Sequence, residues 1–245
     1  MALAEAPDKL DPSFARTYVG RLVFVNMCEK LYDINGDVEV VPQLAAELPE
    51  ISDDGTVYTI KLRQGVKFND GTDFDAEAVK ASLERHRDHE ESERASELQA
   101  VDEVAAVDDQ TVRTTLSEPY APLLAILSDR SGMIMSPSQL DELGDDFSDE
   151  PVCVGPFKFA DRPSNDRIEL TKSEHYYDRD QVRLDGLTFS VVTEPSVRAA
   201  NLRSGDIQVA DRIQPPDVQS LEDNPQTGLN AVTCRPPSST ARRIG

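Results

Sequence analysis

A chain of 245 residues, 38% hydrophobic and 29% charged, has the apolar content for one large domain or two smaller ones and is too hydrophobic for a disordered polymer. Its 46 acidic residues against 25 basic give a formal charge of −21, which excludes a nucleic-acid backbone as partner, since that needs clustered Lys and Arg. No apolar run reaches the ~18 residues of a membrane span, and no signal-peptide pattern is visible.

In chain order, Glu29 to Ser52 opens with an apolar piece, turns at Asn35-Gly36 and continues extended. Asp54-Gly55 is a turn signal. Val57 to Leu62 alternates, which predicts a half-buried strand with Tyr58, Ile60 and Leu62 on one face. Asn69-Asp70-Gly71 turns the chain again. Asp75 is placed to cap a helix, Glu77 favours its positive end, and Ala76, Val79, Leu83 and His86 mark its inner face. "EVAAVDDQTVRTTL" reads as strand, turn at Asp108-Asp109, strand, and "YAPLLAILSD" as a short buried helix. "GMIMSPSQLDELG" predicts an apolar strand and then a helix. Ser136 is its cap, Pro137 its first residue, Gln139 the closing member of a capping box and Gly144 its stop. "PVCVGPFKFA" and "RIELTKS" form a strand pair. Residues 185–210 read as strand, helix ending at Gly205, and a returning strand Ile207–Ala210, a βαβ unit.

Catalytic chemistry is sparse. No GxSxG, Walker or GxGxxG pattern occurs. His86, His89 and Glu90 have a spacing that can share a metal, but Arg85, Arg87 and Asp88 crowd the same turn, and a charged solvated face fits better. His175 reads as a surface or packing residue. Cys28, Cys153 and Cys234 show no zinc spacing; one disulfide with an odd thiol, or three free thiols, both remain open. No cofactor is expected. The residues alone give a mixed α/β domain without a catalytic constellation; a hydrolase using Cys28 is the competing reading of another class, and its thiol pKa would decide it.

The stretch "VPQLAAELPEISDDGTVYTIKLRQGVKFNDGTDFDAEAVKASLERH", Val41 to His86, resembles the signature region of the family 5 extracellular solute-binding proteins. The matching positions are Pro42, Leu44, Ala45, Asp54, Gly55, Tyr58, Leu62, Arg63, Gly65, Val66, Phe68, Asp70, Gly71, Phe74, Ala76 and Val79. Ile60 and Ala78 depart from it. "CEKLYDINGDVEVVPQLA" is similar to the family's Y-E-x-L segment. "PVCVGPFKF" resembles P-V-G-T-G-P-Y-x-F, with Cys153-Val154 in place of Gly-Thr, and "ANLRSGDIQVA" resembles L-x-x-G-x-x-D. The likeness runs from about Leu10 to Ala210.

The resemblance implies a mixed α/β lobe of the periplasmic binding protein type II kind. Its main subdomain would take residues 1–40 and 150–210 and a smaller one 41–149, with 211–245 leading toward a second lobe. Family members are about twice this length, so the sequence is expected to hold the first lobe only and to bind solute weakly by itself. The implied function is the substrate-binding component of an ABC importer for peptides or a similar small solute. The alternatives are a nickel-chelate, opine or sugar binder, or a peptide-sensing receptor domain. It is not an enzyme. The implied partners are the permease subunits, with membrane contact only through a lipid anchor absent from this chain. The implied place is the cell envelope, periplasmic or anchored on the outer face. The family's ligand wall maps onto Thr17, Tyr18, Val19, Gly20 and Met27, in the loop after the first strand, and onto Arg130 and Ser131. Arg130 is the candidate for a ligand carboxylate, against a surface Arg paired with Asp129. Cys28 and Cys153 fall in segments that the family places together, which implies a disulfide and leaves Cys234 free.

Overall fold

The structure, a computed structural model, describes residues 1–164 and 166–222; Cys234 and most of the 211–245 tail lie outside the described residues. Its elements in chain order begin with β1 (Ala2–Leu3), α1 (Tyr18–Met27), β2 (Tyr32–Ile34), β3 (Val40–Pro42), β4 (Glu50–Ile51), β5 (Val57–Lys61) and α2 (Ala76–Asp88). Then come β6 (Val101–Asp108), β7 (Thr111–Leu116), α3 (Leu123–Ile126), α4 (Pro137–Leu143), β8 (Phe157–Ser164), β9 (Arg167–Lys172), β10 (Gly186–Val191), α5 (Pro195–Ser204) and α6 (Pro215–Glu222). Two compact units result: Glu5–Val191, and Met1–Ala4 with the described residues 192–222.

In the first unit an antiparallel sheet runs β4-β5-β7-β6. The alternation of β5 sets its register: Ile60 lies opposite Val112 and Tyr58 opposite Thr114. Tyr58, Ile60 and Leu62 point into a core shared with Ala76, Val79 and Leu83 of α2. Each fully buried Val, Leu or Ile side chain there contributes about 1.5–3 kcal/mol. Asp75 caps α2 by accepting from the Ala78 amide at 2.9 Å. The turn before it needs glycine at residue 71, where φ is +89°. Asp70 fastens that turn from the side: its carboxylate accepts from Thr72 N–H and from the hydroxyls of Thr72, Ser136 and Ser138. Burial alone would raise the pKa of Asp70, but these donors outweigh it and hold the carboxyl below its usual value. The four-stranded sheet and α2 lie within the 41–149 stretch. A hairpin joins β2 to β3, and β8, β9 and β10 form consecutive antiparallel pairs.

The second unit has a small core of Ala2, Leu202, Ile207 and Leu221. Arg198 is buried and donates to the carbonyls of Val192, Thr193, Asp211 and Arg212, so its charge replaces several backbone bonds that irregular chain cannot make for itself.

Three local expectations change. Gly132–Met135 is buried but is no strand: Met133 bridges to Lys30 and Met135 to Cys153, one residue at a time, because its two sides face different segments. Gln139 does not close a capping box; its amide donates to Glu150 O at 2.9 Å, while Ser136 Oγ does accept from the Gln139 N–H. Ile207–Ala210 shrinks to a single parallel bridge between Ala210 and Ala2, so the βαβ unit has no full returning strand.

Candidate functional site

Residues expected as a loop, Thr17 to Gly20, begin a helix. "YVGRLVFVNM" places Val19, Val23, Phe24 and Met27 on one face, and all four are buried. This spacing is the signal for α1 that the family resemblance masks. The opposite face carries Tyr18, 54% exposed, and Val25, 49% exposed. Thr17 is the N-cap, yet it makes no capping bond. Its hydroxyl instead donates to Asp8 Oδ1 at 2.9 Å, and the Arg16 N–H donates to Asp8 Oδ2 at 2.8 Å.

Of the expected ligand wall, then, Thr17 and Tyr18 keep surface. Val19, Gly20, Met27 and Ser131 are enclosed in packing. Arg130 sits in a 3₁₀ turn, Arg130–Gly132, and is partly buried. Its Nη1 donates to Ala15 O at 2.9 Å and reaches Thr17 O at 3.5 Å. It is not paired with Asp129, whose carboxylate meets Arg21 Nε at 3.0 Å. Ser131 Oγ donates to Glu97, which also holds Arg94. Five of the seven expected residues lie on α1 or at its cap, and Arg130 ties the second group to that helix.

The other end of α1 is fixed covalently. Cys28 and Cys153 form a disulfide, with Cα atoms 4.9 Å apart and both residues buried. Cys28 therefore offers no thiolate, and the hydrolase reading loses its nucleophile. Next in sequence, Glu29 is buried and accepts from both Tyr176 Oη at 2.6 Å and Tyr177 Oη at 2.8 Å. Burial raises the Glu29 pKa, and the two phenols oppose that. Arg63 lies 4.8 Å from the Tyr177 ring. Nothing in the sequence around Glu29 or Tyr176 announces this pairing across 147 residues.

His86 is not on a solvated face. It is completely buried, with Nδ1 2.9 Å from Ser13 Oγ and Nε2 3.0 Å from Met133 O. Arg85 beside it pairs with buried Asp11 at 2.8 Å. Burial pushes the His86 pKa down to about 4. His89 faces outward to Asp145, and His175 is partly exposed with Glu174 4.0 Å away. Among the described residues no group of three His, Cys, Asp or Glu is arranged to hold a metal ion. No helix of the described residues is long and apolar enough to cross a membrane. A cleft of about 1000 Å³ is lined by Asp8, Lys9, Asp145, Asp149, Glu150 and Asp161 among others; none of the seven expected wall residues faces it.

Sheets, α1 and its fastenings define a mixed α/β lobe of the periplasmic-binding-protein class. The agropinic-acid complex of the binding protein AgaA from A. tumefaciens R10 shares this fold, at 30% identity and a TM-score of 0.83 over 91% of this chain and 45% of that one. A nickel ABC transporter structure from Bacillus halodurans does so at 32% identity and a TM-score of 0.80, over 91% of this chain and 45% of that one. Residues 39–242 match the family described as bacterial extracellular solute-binding proteins, family 5 Middle, and the chain belongs to that family. The glutathione-binding protein GsiB of Salmonella paratyphi A is 35% identical over 202 residues, 82% of this chain and 39% of that protein. The chain thus spans about two-fifths of the length of the curated relatives it matches.

Proposed function

We propose that this chain is the first lobe of the substrate-binding component of an ABC importer, taking a peptide or peptide-like solute outside the cytoplasm. The observation that carries the reading is the family match over residues 39–242 together with the 35% identity to a protein named for binding glutathione, itself a small peptide. The lobe binds rather than catalyses; its partners are permease subunits, and a lipid anchor would hold it at the outer face of the membrane. The buried Cys28–Cys153 bridge supports an oxidising location, since such bonds are rare in reducing compartments. Thr17 and Tyr18 present the solute-facing surface at the start of α1, and Val19, Gly20, Met27 and Ser131 form the packing behind them. The main and smaller subdomains, 1–40 with 150–210 and 41–149, supply that wall and its brace.

A second ligand class is favoured by two of the structural relatives, which are described with agropinic acid and as a nickel transporter. Calorimetric titration of the gene-length protein with glutathione, a dipeptide pool, agropinic acid and chelated nickel separates them. The peptide reading expects heat from the first two. Binding confined to nickel or to the opine would replace it.

A further inference from the structure

We infer that the 129–131 turn is a clamp that positions the solute wall, with Arg130 as the positioning residue and Asp8 as the opposing jaw. The inference rests on the reading of Thr17 and Tyr18 as wall surface. The backbone at 15–17 is gripped from two sides. Its carbonyls at Ala15 and Thr17 take the Arg130 Nη1 protons, at 2.9 and 3.5 Å. Its amides at Arg16 and Thr17 donate to the Asp8 carboxylate, at 2.8 and 3.4 Å, and the Thr17 hydroxyl donates there too. Thr17 is thereby drawn away from capping α1, a local cost that makes sense if the position of the backbone matters more than the cap.

The same short turn reaches two other parts. Asp129 pairs with Arg21, one turn into α1, and Ser131 bonds Glu97, which holds Arg94. The start of α1 is thus located relative to 94–97 by three consecutive side chains. A bidentate grip on a ligand carboxylate needs two parallel N–H donors on one open edge. In Arg130 the Nε is buried and Nη1 already serves two carbonyls, so the guanidinium acts on a solute through the backbone it holds.

Limited trypsin digestion of the 245-residue chain tests this without any ligand, so its outcome is independent of whether the solute reading holds. Arg16 is exposed, though its guanidinium pairs with Glu93, and the bond after it should be cut only when 15–17 lets go. Arg130→Ala is expected to speed that cut roughly tenfold, as expected when a charge-assisted bond to backbone is removed. Arg130→Lys should fall between, and cleavage after exposed Arg183 should not change. Asp8→Asn should speed the same cut from the other side. An unchanged rate after Arg16 in Arg130→Ala, or an equal rise at Arg183, overturns the proposal. If near-UV circular dichroism shows that Arg130→Ala has lost its fold, Asp8→Asn decides by the same two criteria.

Discussion

The β4-β5-β7-β6 sheet with α2 and the junction around α1 belong to one compact unit, yet they hold together by different means. In the sheet, neighbouring strands pair in register and apolar side chains meet at period 2 on β5 and at helical spacing on α2. In the junction, segments 8–30, 85–97, 129–135 and 153–155 meet through a disulfide, the pair of buried Asp11 with Arg85, the Ser13–His86–Met133 chain and the Arg130 clamp. The contrast teaches where each region is vulnerable. A sheet core loses stability in proportion to volume removed. A junction of close backbones and buried polar groups fails when one member is altered, because the partner remains buried and unpaired.

The largest effect should come from filling the close approaches at the junction. A Cβ on Gly132 would sit 1.8 Å from Leu127 O, and one on Gly155 2.3 Å from Met27 O. Both obstacles are backbone, so Gly132→Ala should exceed the ~1–3 kcal/mol usual for overpacking, measured as a shift in denaturant midpoint. A well-folded Gly132→Ala with an unchanged midpoint would show that the two backbones can separate freely. Next comes the staple: Cys28→Ser with Cys153→Ser should cost about 2–4 kcal/mol, since the bridge closes 125 residues of sequence. Thermal unfolding with and without reductant checks it, and equal midpoints would mean that the noncovalent interactions suffice.

The polar chain predicts a pH signature that the sheet lacks. His86 titrates near 4 in the folded state against an ordinary 6.5, so the unfolded chain binds the proton more tightly in between. Stability is full above about pH 6.5 and declines as pH falls toward 4, by on the order of 3 kcal/mol. Burial is the largest influence and lowers the pKa, and Arg85 and Arg94 add to it; the Met133 carbonyl and Asp11 favour protonation and are outweighed. Urea titrations from pH 7 to 4 on the wild type and on His86→Gln should diverge in slope. Parallel curves would place the acid sensitivity elsewhere. The smallest effect belongs to the sheet, where Ile60→Val should cost about 0.5–1.5 kcal/mol at every pH.

The same contrast explains what could be read from the sequence. Tyr58, Ile60 and Leu62, the Asp75 cap and the turns at Gly55 and Gly71 are set by neighbours within a few residues, and local pattern carries them. Spacing puts His86 correctly on the inner face of α2, but its partners Ser13 and Met133 lie 73 and 47 residues away, so the same residue also passes for part of a charged surface. Glu29 with Tyr176 and Tyr177, and Arg130 with Ala15, are out of reach for the same reason: no periodicity encodes a single long-range hydrogen bond. The α1 helix is legible in Val19, Val23 and Met27, and is overlooked when the family resemblance supplies a loop in its place.

Binding by the lobe itself is the point on which the account turns. A solute held between two walls draws binding energy from both, and each ~1.4 kcal/mol that one wall alone does not supply weakens binding tenfold. On the proposal that the chain is one of two lobes, isothermal titration with glutathione should be run side by side on the 245-residue chain and on the gene-length protein. Micromolar or tighter binding is expected of the gene-length protein, and binding about a thousandfold weaker, near millimolar, of the 245-residue chain. Equal affinity in the two would show that this lobe carries recognition alone. Failure of the gene-length protein to bind glutathione or any member of a peptide pool would contradict the assignment of this chain to a peptide-binding importer component.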